Sequence, residues 1–341
     1  MKRTLKYIAL AIVLLIGWLL FAILYPNTYD VAQFKERPGT KYWNLTTGSK
    51  IGYTLIPGKG IKKTSPVIFL QGGPGGFITD NNVEVLGKLS QDGYDVYLYD
   101  QIGSGHSARL DNIREYTADR HKKDLEAIIT EIKADKVILI GQSWGAILAT
   151  LYIADNPLKV EKAIFTGPGP IAPFNNEALQ RPIPDSLNLK EPSFDNREAN
   201  LKANNLRTRA ATLVAYAFGK KLMPDKEADD FQTYLNTELN KATVADIKNA
   251  KEAPGGGGFY VQIMTFLNIQ TIKDPRPALA GLSIPILLLK GQYDNQKWGA
   301  ASEYLELFPN HKLVIVNKAG HSIATERPDI YLNEIRSFLK D

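Results

Sequence analysis

The feature that most constrains the fold of this chain is the pentapeptide Gly141–Gly145, with the sequence Gly-Gln-Ser-Trp-Gly, because of what flanks it. A short apolar run rich in β-branched residues, 137–140, precedes it, and a helix-forming apolar stretch, 146–152, follows it. In a sharp turn between a strand and a helix, serine takes a strained backbone conformation, so the residues two positions away must be small. Glycine stands at both positions. The sequence therefore predicts a strand, turn and helix that together expose the hydroxyl of Ser143.

The N-terminus predicts a membrane-spanning helix. Lys2, Arg3 and Lys6 precede an uncharged apolar run that ends at Tyr25 and is long enough to cross a bilayer. A cleaved signal peptide is the alternative, but residues 20–30 lack the pair of small residues that marks a cleavage site. We therefore expect an uncleaved signal anchor. Because the cations precede the span, the positive-inside rule predicts a membrane-anchored protein whose catalytic domain is extracytoplasmic.

Composition excludes several classes of function. A chain of 341 residues that is 44% hydrophobic can fill the core of one large domain with an insertion. Setting aside the three cations before the span leaves 38 Lys and Arg against 36 Asp and Glu, a net charge of +2. With no basic stripe, we expect no nucleic-acid partner. The absence of cysteine excludes disulfides, thiolate catalysis and a lipid-modified cysteine anchor.

Strand-like and helix-like stretches alternate along the chain, which predicts an α/β fold with a mostly parallel sheet flanked by helices. After an opening hairpin at 41–55, the predicted strands are 66–70, 94–99, 137–140, 160–165, 284–289 and 313–316. Between the predicted strands 160–165 and 284–289, a polar stretch of helical composition that is interrupted by prolines predicts an inserted lid. The predicted organisation is a signal-anchor helix (1–25), a linker (26–40), the first part of the core (41–167), a helical lid (168–281) and the second part of the core (282–341).

A serine hydroxyl becomes an effective nucleophile only when a base removes its proton. The chain has four histidines. His321 comes directly after the last predicted strand, where loops at the C-terminal edge of a parallel sheet lie above the predicted turn. His121 falls on a predicted helix, His106 in a glycine-rich loop and His311 in a polar turn. We therefore expect His321 to be the catalytic base.

The base needs a carboxylate that holds its tautomer and stabilises the imidazolium. Asp294 follows the predicted strand 284–289 at a short offset, whereas the next candidate, Asp274, falls inside the predicted lid. The chain order Ser143, Asp294, His321 is the order of α/β-hydrolases and differs from two other well-known serine protease arrangements. The predicted catalytic residues are therefore Ser143, Asp294 and His321.

Acyl transfer also needs two N–H donors for the oxyanion. The residue after the nucleophile, Trp144, supplies one. The glycine-rich loop Gln71–Gly76, which follows an early predicted strand and which we call the oxyanion loop, is expected to supply the other, and we assign it to Gly73. A phosphate-binding loop is the alternative interpretation of these glycines. It lacks both the P-loop lysine and the G-x-G-x-x-G spacing.

Five segments together make this chain resemble the proline iminopeptidase (prolyl aminopeptidase) branch of the α/β-hydrolase family. They are Gln71–Gly75, Tyr99–Ser107, Asp124–Glu126, Gly141–Gly145 and Gly320–Ser322. The resemblance extends from about Lys41 to the C-terminus and is weakest in the predicted lid. It implies an α/β-hydrolase fold and a serine hydrolase that forms an acyl-enzyme on Ser143. It also implies that neither a metal nor an organic cofactor takes part.

The chain departs from this family at three places. Gln71 stands where the family usually has histidine, and its amide can still brace the oxyanion loop. Ile102 stands where the family usually has arginine, so a cation is missing there. Family members also recognise the free amino terminus of the substrate with acidic lid residues, often beside tryptophans, but the predicted lid contains no tryptophan. Glu177, Glu191 and Glu198 are the candidate substrate-binding residues for that ammonium group.

Three functions are compatible with these residues. The first is an aminopeptidase that releases an N-terminal residue from short peptides. The second is a carboxylesterase or lactonase that uses the same triad on a small acyl substrate, and the third is a catalytically degenerate binding module. We expect lid carboxylates to converge near Ser143 in an aminopeptidase, and an apolar tunnel in an esterase.

Overall fold

The computed structural model describes residues 2–192 and 194–340. Met1, Ser193 and Asp341, which belong to the predicted anchor, lid and second core part, lie outside the described residues, as do the side chains of Lys2 and Arg3. The strands are β1 (Lys41–Asn44), β2 (Lys50–Ile56), β3 (Val67–Leu70), β4 (Val96–Tyr99), β5 (Val137–Gln142), β6 (Val160–Thr166), β7 (Ile286–Gly291) and β8 (His311–Val316). The helices are α1 (Lys2–Leu24), α2 (Asp80–Leu86), α3 (Ala118–Glu131), α4 (Trp144–Asp155), α5 (Asn176–Leu179), α6 (Asn196–Ala203), α7 (Leu206–Phe218), α8 (Asp225–Asn240), α9 (Phe259–Asn268), α10 (Arg276–Leu279), α11 (Trp298–Leu307), α12 (Ile323–Glu326) and α13 (Pro328–Lys340).

The strands form one sheet in the order β1-β2-β4-β3-β5-β6-β7-β8. The β1–β2 and β2–β4 pairs are antiparallel, and every later pair is parallel. The mostly parallel sheet predicted from the alternation of elements is therefore confirmed. Because the parallel strands end at one edge, the loops that follow β3, β5, β7 and β8 meet there.

Both faces of the sheet are covered by helices, which explains why its central strands are continuous apolar runs. Alternate residues of β5 point to opposite faces. Leu139 joins the core cluster that includes residues of α3 and α4, while Ile138 and Ile140 join the cluster that includes residues of α2 and α13. The sheet thus provides a rigid platform for the loops at its C-terminal edge.

Between β6 and β7 lie the helices α5 to α10. Among them, α8 packs against α6 and α9, and α9 also packs against α7. The glycine run 255–258 precedes α9 and is tied to the core, since the N–H of Gly105 donates to the carbonyl of Gly256 at 2.9 Å. These helices contribute part of the wall of the site described below.

One helix among the described residues is long and apolar enough to cross a membrane, a property that a signal sequence shares. The apolar part, Thr4–Leu24, has a mean hydropathy of 2.8. The end of this helix rests on α7, where Arg207 Nη1 donates to the carbonyl of Ile23 at 2.6 Å. The same guanidinium forms a buried, bidentate ion pair with Glu227. The apolar helix is therefore attached to the rest of the protein by a specific contact.

The segment predicted as a linker is docked on the protein surface and is not a free tether. The ring of Tyr29 lies 5.6 Å from that of Phe231, and the ring of Phe34 lies 4.6 Å from that of His106. Arg37 extends into the core, where Nε donates to Thr54 Oγ1 at 2.7 Å. Composition alone gave no indication of these contacts.

Candidate active site

Ser143 occupies a sharp turn between β5 and α4. Its backbone φ is +52° and its ψ is −114°, a conformation that residues with a side chain rarely adopt. The flanking glycines are sterically required. A Cβ built on Gly141 would lie 2.5 Å from the carbonyl oxygen of Gly145, and one built on Gly145 would collide with the carbonyl oxygen of Leu70. The strand–turn–helix geometry predicted from the pentapeptide is thus present.

The loops after β7 and β8 bring Asp294 and His321 together. His321 Nδ1 lies 2.8 Å from Asp294 Oδ1, and both side chains are buried. Since an ionised carboxylate only accepts hydrogen bonds, Nδ1 of His321 must carry the proton. Nε2 is then the unprotonated nitrogen, the one able to take a proton from a hydroxyl group.

Asp294 is held as an anion. Burial by itself raises the pKa of its carboxyl group, but the charges of Lys290 and His321 and the hydrogen bonds outweigh burial and lower that pKa below the ordinary 3.8. Lys290 Nζ lies 3.1 Å from Asp294 Oδ2 and is buried, and the N–H of Gln296 donates to Oδ1 at 3.0 Å. The carboxylate is therefore charged and oriented over the pH range in which a histidine titrates.

Gly167, which directly follows β6, packs against the side chains of His321 and Asp294. Gly167 has φ +48°, and a Cβ built on it would lie 2.7 Å from His321 Nδ1 and 3.2 Å from Asp294 Oδ2. No larger residue fits without moving the imidazole ring. Glycine at this position, the last residue of the predicted first core part, keeps the space for the histidine.

The other three histidines have different environments. His121 is buried, its ring centroid lies 5.6 Å from that of Trp144, and burial followed by the charge of Arg120 lowers its pKa to about 3. His106 Nδ1 lies 2.7 Å from a carboxylate oxygen of Asp100, and His311 Nδ1 lies 2.6 Å from a backbone carbonyl. Asp274, the second candidate for the carboxylate, forms an ion pair with Arg276 outside the cavity that contains Ser143.

The glycine-rich loop after β3 passes directly over the serine. A Cβ built on Gly72 would lie 4.0 Å from Ser143 Oγ. The N–H of Gly72 already donates to the side chain of Gln71, and that of Gly75 to Gln101, both at 3.0 Å. Within the described residues, the N–H groups of Gly73 and Trp144 make no hydrogen bond. These two predicted donors are therefore free for an oxyanion.

Two glutamines brace this loop. As predicted, the amide of Gln71 holds it, since Nε2 donates to the carbonyl of Phe77 at 3.1 Å and to Asn82 Oδ1 at 2.9 Å. Gln101 was not singled out from the sequence. Its Nε2 donates to the carbonyl of Gln71 at 2.7 Å, and its Oε1 accepts from Trp144 Nε1 at 3.0 Å. Gln101 thus links the oxyanion loop to the residue after the nucleophile; the only sequence signal for it was its place in the family-like segment 99–107.

Arg37 of the linker places a cation behind the oxyanion loop, which was not predicted from the sequence. Ile102 is buried and apolar, so the cation usual in the family is absent at that position. Arg37 of the linker instead places Nη2 3.6 Å from Asp100 Oδ1 and donates from Nη1 to the carbonyl of Ile78 at 2.8 Å. Asp100 in turn accepts the N–H of Ile78 at 2.7 Å and lies against His106. The linker therefore completes a buried network at the end of the oxyanion loop.

Ser143 and His321 line one cavity of about 370 Å³. The oxyanion loop forms one wall, α8 and α9 contribute others, and α12 with its preceding loop closes the side next to His321. No cluster of His, Asp and Glu within residues 2–192 and 194–340 could hold a metal ion.

The structure does not bring the three proposed lid glutamates to this cavity. Glu177, Glu191 and Glu198 are exposed and lie outside its lining. The lining contains a different carboxylate, Glu252, which is exposed and follows the exposed Lys251. Neither the expected carboxylate cluster nor an apolar tunnel is found among the described lining residues.

Comparison with known proteins agrees with this geometry. A family model for the alpha/beta hydrolase fold matches residues 65–328. The proline iminopeptidase of Heyndrickxia coagulans is 28% identical over 298 residues, covering 86% of this chain and 96% of that protein. Among solved structures, a proline iminopeptidase from Mycobacterium smegmatis has a TM-score of 0.58 at 17% identity, covering 88% of this chain and 97% of that one. An esterase from Exiguobacterium antarcticum has a TM-score of 0.57 at 18% identity, covering 88% and 99%. The resemblance to proline iminopeptidases is thus confirmed, and the chain belongs to the α/β-hydrolase family.

Proposed function

We propose that this protein is a serine hydrolase that forms an acyl-enzyme on Ser143. In the first step, Ser143 Oγ attacks the carbonyl carbon of the substrate while His321 Nε2 takes the hydroxyl proton. The N–H groups of Gly73 and Trp144 stabilise the resulting oxyanion. When the bond to the leaving group breaks, His321 returns the proton to that group. Water then attacks the acyl-enzyme, with His321 again as base, and releases the acid.

The observation that carries this proposal is the buried pair of Asp294 and His321 beside a serine in a strained turn. An ionised carboxylate at 2.8 Å from Nδ1 fixes the tautomer that a general base requires. The proximity of the glycine-rich loop to Ser143 Oγ supports the assignment of the oxyanion donors.

For the substrate, we propose short peptides from which the protein releases the N-terminal residue, as a peptidase of the proline iminopeptidase type. Similarity over 86% of the chain to a relative of that name supports this choice. Residues 168–281 are proposed as a lid, since α8 and α9 contribute cavity residues. The apolar helix α1 is proposed as a membrane anchor with the catalytic domain outside the cytoplasm.

A second candidate, hydrolysis of carboxylic esters or lactones, is favoured by one observation. Apart from Lys251, Glu252 and His321, the lining residues of the cavity carry no ionisable side chain. A substrate without an ammonium group needs no carboxylate to hold it. The same nucleophile, base and oxyanion donors would act on an ester.

Both candidates are tested by assaying the full-length protein in detergent against neutral aminoacyl arylamides and short acyl esters. A peptidase cleaves the amides, whereas an esterase cleaves only the esters. Ser143→Ala should abolish both activities. Ser337→Ala, an exposed serine on α13, is the matched control and should keep full activity. Hydrolysis that survives Ser143→Ala would show that the proposed mechanism is wrong.

A further inference from the structure

The cavity above Ser143 is lined by side-chain carboxamides. Helix α8 contributes Gln232, Asn236 and Asn240, which are four residues apart and so lie on one face of the helix. Gln262 on α9 and Gln142, next to the nucleophile, add two more. We call these five residues the carboxamide row. No such set was expected from the sequence.

Much of the hydrogen-bonding capacity of the carboxamide row is unused. Within the described residues, the side chains of Gln142 and Gln262 make no hydrogen bond. Asn236 accepts from Gln232 Nε2 at 2.9 Å, which leaves its own NH₂ group free. Asn240 donates to the carbonyl of Lys251 at 2.9 Å, which leaves its oxygen free. The cavity therefore presents both donors and acceptors without a net charge.

This lining discriminates between substrate chemistries. An ammonium ion is best held by carboxylates, and the one carboxylate in the lining, Glu252, is exposed and adjacent in sequence to the exposed Lys251. A carboxamide offers one donor group and one acceptor group, as a peptide unit does. A substrate that carries peptide units satisfies the row, whereas an apolar acyl chain would leave its polar groups unpaired.

The dimensions also match a peptide in extended conformation. Successive carboxamides on α8 are separated by four residues, or about 6 Å along the helix axis. Groups on the same side of an extended chain repeat every two residues, or about 6.6 Å. From Gln232 to Asn240 the row covers about 12 Å, which accommodates three to four extended residues.

Contacts at its two ends orient the row relative to the catalytic residues. Beyond its Asn240 end, Thr243 accepts the N–H of Ser322 at 2.9 Å, next to His321. At its other end, a Cβ built on Gly257 would lie 2.9 Å from the Gln232 side chain, and the carbonyl oxygen of the neighbouring Gly258 would lie 3.4 Å from a Cβ built on Gly75 of the oxyanion loop. Because His321 protonates the leaving group, that group lies toward Asn240 and the acyl group lies toward Gln232.

We propose that the carboxamide row binds an uncharged, extended stretch of peptide main chain on both sides of the scissile bond, so that a peptide with a blocked amino terminus is accepted as well as a free one. This inference rests on the proposed serine hydrolase with a peptide substrate. It departs from the proline iminopeptidase type in one respect, since the N-terminal residue is released whether its amine is free or blocked. Affinity then comes from main-chain hydrogen bonds and depends little on the charge of the N-terminal amine.

The test compares kcat/KM of the full-length protein for one neutral tetrapeptide with a free or an acetylated amine. The two values of kcat/KM should agree within about tenfold. A site that held the ammonium group by a charged hydrogen bond would favour the free amine by more than this factor. Asn236→Leu and Gln262→Leu should each lower both values by about tenfold, mainly through KM. Gln180→Leu, an exposed lid glutamine outside the cavity, is the matched control and should change neither.

A gain of selectivity provides the second arm. Gln262→Glu replaces a carboxamide with a carboxylate of the same shape, and should raise the preference for the free amine by about tenfold or more. Wild-type preference for the free amine above a hundredfold would overturn the inference, as would unchanged kinetics of the folded leucine variants. Faster cleavage of an O-acetylated oligosaccharide than of either peptide would also overturn it. In each case, loss of activity in Ser143→Ala would leave the proposed mechanism intact, whereas activity in that variant would refute the mechanism itself.

Discussion

The carboxylate of Asp294 lies 2.8 Å from Nδ1 of His321, although the two residues are 27 positions apart in the chain. They follow β7 and β8, which are neighbouring parallel strands, so the sheet itself sets their separation. Gly167, at the end of β6, leaves the space that the imidazole ring occupies. The ends of β7 and β8 thus position the two side chains, and the end of the adjacent strand β6 leaves room for them.

We expect Asp294→Asn to lower kcat by about 10⁴-fold with little change in KM, because an asparagine favours the wrong tautomer of the base. Steady-state kinetics on the best substrate of the panel would measure this. Asp274→Asn, which removes an exposed carboxylate paired with Arg276, is the control and should change kcat less than twofold. A tenfold loss or less in Asp294→Asn would be incompatible with a base held by this carboxylate.

The stability of the protein should depend on the same carboxylate in a defined pH range. The pKa of Asp294 is lowered in the folded protein, so its ionised form contributes stability that is fully present above its ordinary pKa of 3.8. That contribution is lost as the pH falls through the lower, folded value. Wild type should therefore exceed Asp294→Asn in free energy of unfolding at pH 7, and the difference should shrink below about pH 4. A difference that is constant from pH 7 to pH 3 would contradict this account.

Gln101 should be a positioning residue for the oxyanion loop. Replacing it with leucine removes the acceptor of Trp144 Nε1 and of the Gly75 N–H, and the donor to the Gln71 carbonyl. We expect kcat to fall by about 10²-fold or more, as when an oxyanion donor is displaced, while KM changes little. If KM rose by the same factor by which kcat fell, the substitution would have distorted the whole site, and a positioning role for Gln101 would be wrong.

Arg37 should stabilise the docked linker. Its guanidinium is the cation next to the fully buried Asp100, and Arg37→Met leaves that carboxylate without it. Breaking a buried pair in this way costs about 3 kcal/mol of unfolding free energy, measurable by denaturant titration in detergent. Lys62→Met, which removes an exposed partner of Asp95, is the control and should cost less than about 1 kcal/mol. Equal effects of the two substitutions would refute a structural role for the linker.

The sequence predicted the features that depend on local pattern and strand order. The parallel strands were located within about two residues of their observed ends, because apolar runs and turn residues mark them. The shared sheet edge then placed Ser143, Asp294 and His321 in one region. Contacts between distant segments carry no such pattern. The insertion of Arg37, the role of Gln101 and the carboxamide lining depend on which face of each element turns inward, and the periodicity of a polar helix does not specify this.

The membrane interpretation has its own test. If α1 is an uncleaved anchor, the full-length chain should stay in the membrane pellet after an alkaline wash, and protease added to intact cells should remove the catalytic domain. A full-length chain in the soluble cytoplasmic fraction would contradict the membrane anchor. A catalytic domain that resists external protease would contradict its orientation.

The proposed mechanism requires Ser143 to become covalently acylated, and labelling with a serine-directed phosphonate measures whether this hydroxyl is the reactive nucleophile. Intact-mass spectrometry should show one adduct per wild-type chain, peptide mapping should locate it on Ser143, and Ser143→Ala should gain no mass. His321→Ala should react far more slowly, because the hydroxyl then lacks its base. An adduct on another residue of the wild type, or undiminished labelling of Ser143→Ala, would contradict the account.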